Sequence, residues 1–176
     1  MKYYIGLMNK DNAAEIDGLV KRETEFKDIV QYLWGTNEAT LGSDVNIGVY
    51  ITEDMIDDAI SLATVWDMAR LNTADEAEIV PISHFLGAIA GNAGLIVVTN
   101  KSGWRGAATI LNKEKLREVL PAGKYIAMPS SIHEFLLTPY SNDKKLNEIT
   151  EIVMEVNATQ VAPKERLTDM AYVIEL

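Results

Sequence analysis

Tyr125-Ile126-Ala127-Met128-Pro129-Ser130-Ser131-Ile132-His133-Glu134-Phe135-Leu136-Leu137-Thr138 is the stretch whose reading decides the fold class. Two short runs rich in strand formers, Tyr125 to Met128 and Phe135 to Thr138, flank a polar segment too short for a crossover helix. Strand follows strand, and similar blocks recur along the chain in place of strict strand–helix alternation. That order predicts an α+β domain with a mainly antiparallel sheet.

Upstream, Gly94 to Thr99 is a continuous apolar run that reads as a buried strand. Asn100-Lys101-Ser102-Gly103 is turn chemistry, and Ala107 to Leu111 is expected to return as the partner strand of a hairpin. Lys113 to Leu120 reads as a short helix closed by Pro121 and Gly123. Downstream, Asn142 to Asn157 has helical periodicity, with Leu146, Ile149, Val153 and Val156 inward, packed on the sheet. Ala171 to Leu176 supplies a last strand.

In the first part of the chain, Tyr3 to Met8 reads as a strand or a helix end, and Asn12 to Glu25 is ambiguous. Asp28 to Trp34 and Val45 to Tyr50 read as antiparallel strands joined by the turn-type residues Gly35 to Asp44. Thr52 is then a good N-cap for a long helix ending near Asn72-Thr73, with Glu53 and Asp54 in its first turn. On that wheel Met55, Ile56, Ala59, Ile60, Leu62, Ala63, Trp66 and Ala69 fall inward, while Glu53, Asp54, Asp57, Asp58 and Ser61 face out. A second helix is expected from Pro81 to Ala90, with the proline in its first turn.

The 176 residues contain no internal repeat and no proline-rich linker, so one domain over 1–176 is expected. With no cysteine, thiol nucleophiles, disulfides and thiolate metal sites are excluded. No apolar run approaches the roughly 20 residues of a membrane span, and the N-terminus lacks a leader pattern, so a cytoplasmic location is expected.

Charge is placed unevenly. Residues 1–80 hold 16 carboxylates and 6 bases, whereas 81–176 hold 10 of each, so the formal charge of −10 belongs to the first half. From Asp44 to Glu78 there are nine carboxylates against the single base Arg70. Such a segment repels nucleic acid and anionic membranes and complements a basic protein surface, although a merely solvated face has the same composition.

Pro129-Ser130-Ser131-Ile132-His133-Glu134 contains the residue types of a serine-dependent hydrolase or transferase, with Ser130 or Ser131 as nucleophile, His133 as base and Glu134 as orienting group. No Gly-x-Ser-x-Gly elbow surrounds either serine, and a polar turn explains the same residues. The histidines His84 and His133 lie in no zinc-binding pattern, and a carboxylate-only site at Asp54, Asp57 and Asp58 would sit on a helix face, a poor cage. No metal or cofactor is expected. Gly103-Trp104-Arg105-Gly106 lacks the lysine and spacing of a phosphate loop. Trp104 with Arg105 suits either an exposed hot-spot pair or packing on the sheet. The six bases and two acids from Lys101 to Lys124 would make the molecule dipolar, which suits homo-oligomers as well as partners.

Leu95 to Asn100, Gly106-Ala107-Ala108 and Met128-Pro129-Ser130-Ser131-Ile132-His133-Glu134 with Pro139 together resemble the C-terminal core of an uncharacterised family. That family is a domain of unknown function common in gut Firmicutes and their mobile elements. Asn9, Asn12, Ala69, Asn72-Thr73, Glu155-Val156-Asn157 and Leu167-Thr168-Asp169 extend the resemblance over most of the chain. Asn112 departs from it, standing where the family tends to have tyrosine, and typical members carry a further N-terminal segment. The resemblance implies a fold and no catalytic residues. Short acidic relatives look like accessory genes of phages and plasmids, which implies inhibitors of host defence, including the anti-CRISPR type. The expected function is therefore a non-enzymatic module binding a basic partner, such as a nucleic-acid enzyme, through Glu53, Asp54, Asp57, Asp58, Trp104 and Arg105. A hydrolase at the Ser130–Glu134 turn and a structural or oligomerising role are the alternatives.

Overall fold

Lys2–Asn9 alternates between two apolar faces and forms β1. The computed structural model of the chain describes residues 1–36, 48–57, 59–87 and 94–176. β1 pairs antiparallel along its length with β3, Ile29–Thr36, which sets Gly6 opposite Tyr32. The other edge of β3 is shared by β2, Lys21–Glu23, and β4, Val49–Tyr50. Between those two strands, Leu33 N–H donates to Val20 O, Val20 N–H to Ile51 O and Ile51 N–H to Leu33 O, each at 3.0 Å. This ring of backbone bonds closes the junction. The short helix α1, Lys10–Ala14, follows β1 and is capped by the side chain of Asn9.

A second sheet has the order β5-β6-β8-β7-β9, with every pair antiparallel. Its strands are β5 (Ala77–Pro81), β6 (Ile96–Asn100), β7 (Lys124–Ser131), β8 (Glu134–Pro139) and β9 (Tyr172–Glu175). The two sheets share one core, in which Leu7, Ile29 and Leu33 of the first meet Val98, Phe135 and Leu137 of the second. The opposite face of the first sheet buries Tyr4, Met8, Val30, Tyr32 and Trp34 in a cluster of its own. On the outer face of the second sheet, Ile149 and Val153 of α5, Asp143–Thr159, cover Ile126. The fold is α+β with antiparallel sheets, as the blockwise order predicts.

Several elements differ from the sequence reading. The helix expected from Thr52 is broken. Thr52 bridges to Leu19, and Glu53 N–H donates to Gly18 O at 3.0 Å, which ties this segment to the first sheet. Only a 3-10 turn, Glu53–Met55, forms there, and Thr52 makes no side-chain cap. Asp57 Oδ1 then accepts the N–H of Ala59 at 2.8 Å, an Asx-type turn. Helix α2 runs from Leu62 to Asp75, capped by Ser61, whose hydroxyl accepts Thr64 N–H at 3.1 Å. Its buried residues are Val65, Trp66 and Ala69. Met55, Ile60 and Leu62, assigned inward on the longer wheel, are exposed, as are Ala59 and Ala63.

Ala107 to Leu111 is no strand. Gly106–Leu111 is a 3-10 helix packed into the main core, and the neighbours of β6 are β5 and β8. A five-residue apolar run satisfies a buried turn of helix as well as a buried strand, and the small Ala107 and Ala108 fit the closer packing. Pro81 ends the edge strand β5 opposite Ile96, where its missing N–H costs no ladder bond. The helix that follows, α3, spans only Ser83–Leu86 with Gly87 as its C-cap, and residues 88–90 of the expected one lie outside the described residues. So do the turn from Asn37 to Asp44 and the first part of the strand expected from Val45. α4, Lys113–Val119, is found as expected, with Asn112 Oδ1 capping it through Lys115 N–H at 3.1 Å. In α5, Val156 is exposed and Asn157 takes the inward place.

Candidate functional site

Asn100 ends β6 and folds the next residues over itself. Its Oδ1 accepts from Trp104 N–H at 3.2 Å and from Ser102 Oγ at 3.0 Å, while its Nδ2 donates to Trp104 O at 2.9 Å. Arg105 is thereby held at φ 54°, left-handed for a residue with a Cβ, a conformation costing about 1–3 kcal/mol. Gly106 lets the loop lie on the sheet, since a Cβ there would stand 2.5 Å from Asn100 N and Thr99 Oγ1.

This backbone sends the Arg105 side chain onto the outer face of the first sheet. Nη1 donates to Tyr32 Oη at 2.6 Å. The guanidinium carbon lies 4.6 Å from the Trp104 ring centre, 4.7 Å from Tyr50, 5.7 Å from Tyr32 and 5.9 Å from Trp34. All four distances are within reach of cation–π attraction. The rings also pack on one another: Trp104 meets Trp34 edge-on at 5.1 Å, and Trp34 stacks on Tyr4 at 4.8 Å. Gly6 makes room for Tyr32, because a Cβ on it would lie 2.5 Å from the phenol ring. Burial pushes the ionisation of Tyr32 well above the usual tyrosine range, and the nearby guanidinium offsets this only in part. Arg105 Nε is buried with no hydrogen-bond partner among the described residues.

The Arg105 backbone reaches the second predicted motif, for its N–H donates to His133 Nδ1 at 3.1 Å. His133 Nε2 stands 3.6 Å from Glu165 Oε1. An accepting Nδ1 places the proton of the neutral ring on Nε2, toward that carboxylate. The peptide groups of the turn are anchored as well: Thr99 Oγ1 donates to His133 O at 2.9 Å, and Ile132 N–H donates to Glu165 O at 2.9 Å. Ser131 Oγ accepts His133 N–H at 3.1 Å, and Ser130 Oγ donates to Glu134 Oε1 at 3.2 Å. Each serine is thus bonded within the turn, and the lone pair of Nδ1 is taken by a peptide N–H. Among the described residues no hydroxyl is bonded to the imidazole, which is the contact a serine nucleophile needs.

The acidic residues lie apart from this cluster. Glu53, Asp54 and Asp57 are exposed, and Asp58 lies outside the described residues. Among the described residues none of the three enters an ion pair; the pairs that form join Lys10 to Asp28, Lys113 to Glu25, Lys115 to Glu118 and Lys145 to Glu148. On α2 the residues opposite the buried face include Asp67, Met68, Leu71 and Asp75, all exposed, with Leu71 at 60%. A spacing of four residues on each side sets Asp67 and Asp75 about Leu71 along one ridge. Trp104 and Arg105, in contrast, are half-buried and turned onto the sheet.

The aromatic surroundings of Arg105 were not foreseen. Tyr32, Trp34 and Tyr50 stand in strand-like runs in the sequence, and alternation along β3 puts Tyr32 and Trp34 on one face. An open groove of about 530 Å³ also went unanticipated; Arg70, Lys113 and Arg117 face Glu23, Glu25 and Glu114 across it. Its charges balance, with Lys113 bonded to Glu25 at 2.9 Å.

Comparison with known proteins finds one family whose model matches residues 45–175, described as a family of unknown function, DUF5688. The match takes in β4 to β9 and both predicted motifs, and leaves β1 to β3 outside it. No curated protein and no solved structure matches.

Proposed function

We propose, for a chain that belongs to the DUF5688 family of unknown function, that it is a non-enzymatic binding protein. It docks on a basic protein surface through residues 53–57 and the outward ridge of α2. The observation that carries this reading is the pairing of unneutralised carboxylates with exposed apolar side chains. Glu53, Asp54, Asp57, Asp67 and Asp75 form no ion pairs among the described residues, and Met68 and Leu71 are exposed between the last two.

Apolar anchors rimmed by charge are the composition of a docking surface. Carboxylates free of internal ion pairs speed encounter with a basic partner and select against acidic ones. A nucleic-acid enzyme, with its basic channel, is the partner class that fits best, and an inhibitor carried by a mobile element, of the anti-CRISPR type, is one form of it. The serine hydroxyls bonded within the β7–β8 turn support a structural role for that turn rather than a catalytic one.

The test compares the parent with Glu53→Lys/Asp54→Lys/Asp57→Lys as baits in a lysate of the source organism, read by mass spectrometry at low and high salt. A protein held by the parent at low salt, released at high salt and lost from the triple variant bears the reading out. A protein retained equally by both baits at both salts overturns it.

A further inference from the structure

We infer that the cavity between α1, the β3–β4 strands and the Ile132–His133 turn binds a small carboxylate carrying one ring. Tyr32 Oη and Lys164 are the groups that receive its head. The cavity encloses about 220 Å³, and Leu7, Met8, Ile16 and Ile132 give it an apolar wall. Tyr32 and Tyr50 line it as well, with Glu15 and Lys164 as its charged residues.

Tyr32 supplies the chemical argument. It is only 1% exposed, yet it lines this space. Its oxygen accepts from Arg105 Nη1 at 2.6 Å, and among the described residues no acceptor takes its own proton. A buried donor without an acceptor is costly, and a ligand oxygen delivered to it removes that cost. Accepting a bond from a guanidinium also polarises the phenol and makes its O–H a stronger donor.

Arg105 behind the phenol and Lys164 on the cavity wall outnumber Glu15, so an anionic head is favoured over a neutral or cationic one. Size sets the rest of the ligand. An apolar protein cavity of about 150 Å³ accepts benzene, so the larger volume here holds one ring with a short carboxylate arm. The lining joins Leu7 and Tyr32, outside the family match, to Tyr50, Ile132 and Lys164 within it.

Phenylacetate is the probe, titrated into the full ¹⁵N-labelled chain and followed by amide chemical shifts, with benzyl alcohol as the uncharged control. Saturable shifts clustered at Leu7, Tyr32, Tyr50, Ile132 and Lys164 are expected, at a concentration where the alcohol gives none. Tyr32→Phe keeps the ring and removes the donor, and it should weaken binding about tenfold or more. Lys164→Gln should weaken it less, and Ile132→Trp, which fills the cavity, should abolish it. These latter two keep the question open to test if Tyr32→Phe fails to fold. No saturable shift up to about 10 mM, shifts located elsewhere, or unchanged affinity in Ile132→Trp would overturn the inference. The charge-reversed Glu53→Lys/Asp54→Lys/Asp57→Lys chain should bind phenylacetate as the parent does, which separates this site from the docking surface.

Discussion

The backbone N–H of Arg105 donates to Nδ1 of His133 at 3.1 Å, so the loop that leaves β6 and the turn that joins β7 to β8 are held as one piece. One side of that piece carries the guanidinium into the aromatic cluster of the first sheet, and the other rests against Glu165. Through the guanidinium on Tyr32, this piece of the second sheet is tied to the first.

Removing the acceptor should release the strained loop. His133→Ala leaves the Arg105 N–H without its partner and is expected to lower stability by about 1–3 kcal/mol. Urea denaturation measures it. His133→Gln can restore an acceptor and should recover part of the loss, which a purely steric role for the ring would not predict.

Gly6 and Tyr32 form a coupled pair across β1 and β3. A methyl at residue 6 would meet the phenol ring at 2.5 Å, so Gly6→Ala should cost about 1–3 kcal/mol through overpacking. Tyr32→Leu in the same chain clears the ring from that position, and the double variant should be more stable than the sum of the two single losses. Strict additivity in denaturation curves would show that the close approach has no energetic consequence.

Stability should fall on the alkaline side. The folded state holds the Tyr32 ionisation above its ordinary value of 10.0 chiefly by burial, so the unfolded chain loses this proton first as pH rises. The contribution is therefore complete below pH of about 10 and is lost progressively above it. Tyr32→Phe should show a shallower decline in urea midpoint between neutral and strongly alkaline pH than the parent. Identical slopes would place the alkaline sensitivity on other groups.

The start of α2 can be tested by two hydroxyl deletions. Ser61→Ala removes the cap on Thr64 N–H and should cost about 1 kcal/mol. Thr52→Ala removes no cap bond and should fall within about 0.5 kcal/mol of the parent. The opposite ranking would mean that a continuous helix begins at Thr52.

Asn157 clamps the segment that leads into β9. It is 2% exposed, and its Nδ2 donates to Thr168 O at 3.0 Å and to Asp169 Oδ1 at 2.8 Å. From the other side Asn9 Nδ2 donates to Leu167 O at 2.8 Å. Asn157→Ala should cost about 2–3 kcal/mol and raise amide exchange from Val161 to Met170 before the sheets themselves open.

Segments with an unambiguous period were legible in the sequence. β7, β8, β6, α4 and α5 each stand where their apolar spacing and bounding turn residues put them, because local pattern and burial agree. The segment from Thr52 to Ser61 was not legible, since its helical wheel was sound in isolation and yielded to pairing with Gly18 and Leu19, more than thirty residues earlier. At the site, the Trp104-Arg105 and Ser130–Glu134 motifs were both recognisable as unusual. Nothing local to either showed that Arg105 would bond to His133 or stand against Tyr32 and Tyr50.

The amino-acid order by itself determined the lopsided charge, the absence of thiol chemistry, the antiparallel α+β class and most strand positions. These depend on composition or on contacts between near neighbours, which repeat with a period of two or of 3.6 residues. Only the tertiary structure decided where α2 begins, that Ala107 to Leu111 coils into the core, and that four aromatic rings gather round one arginine. Each of those outcomes is a competition between a local preference and bonds to residues distant in the chain, and a linear pattern carries no term for the distant partner.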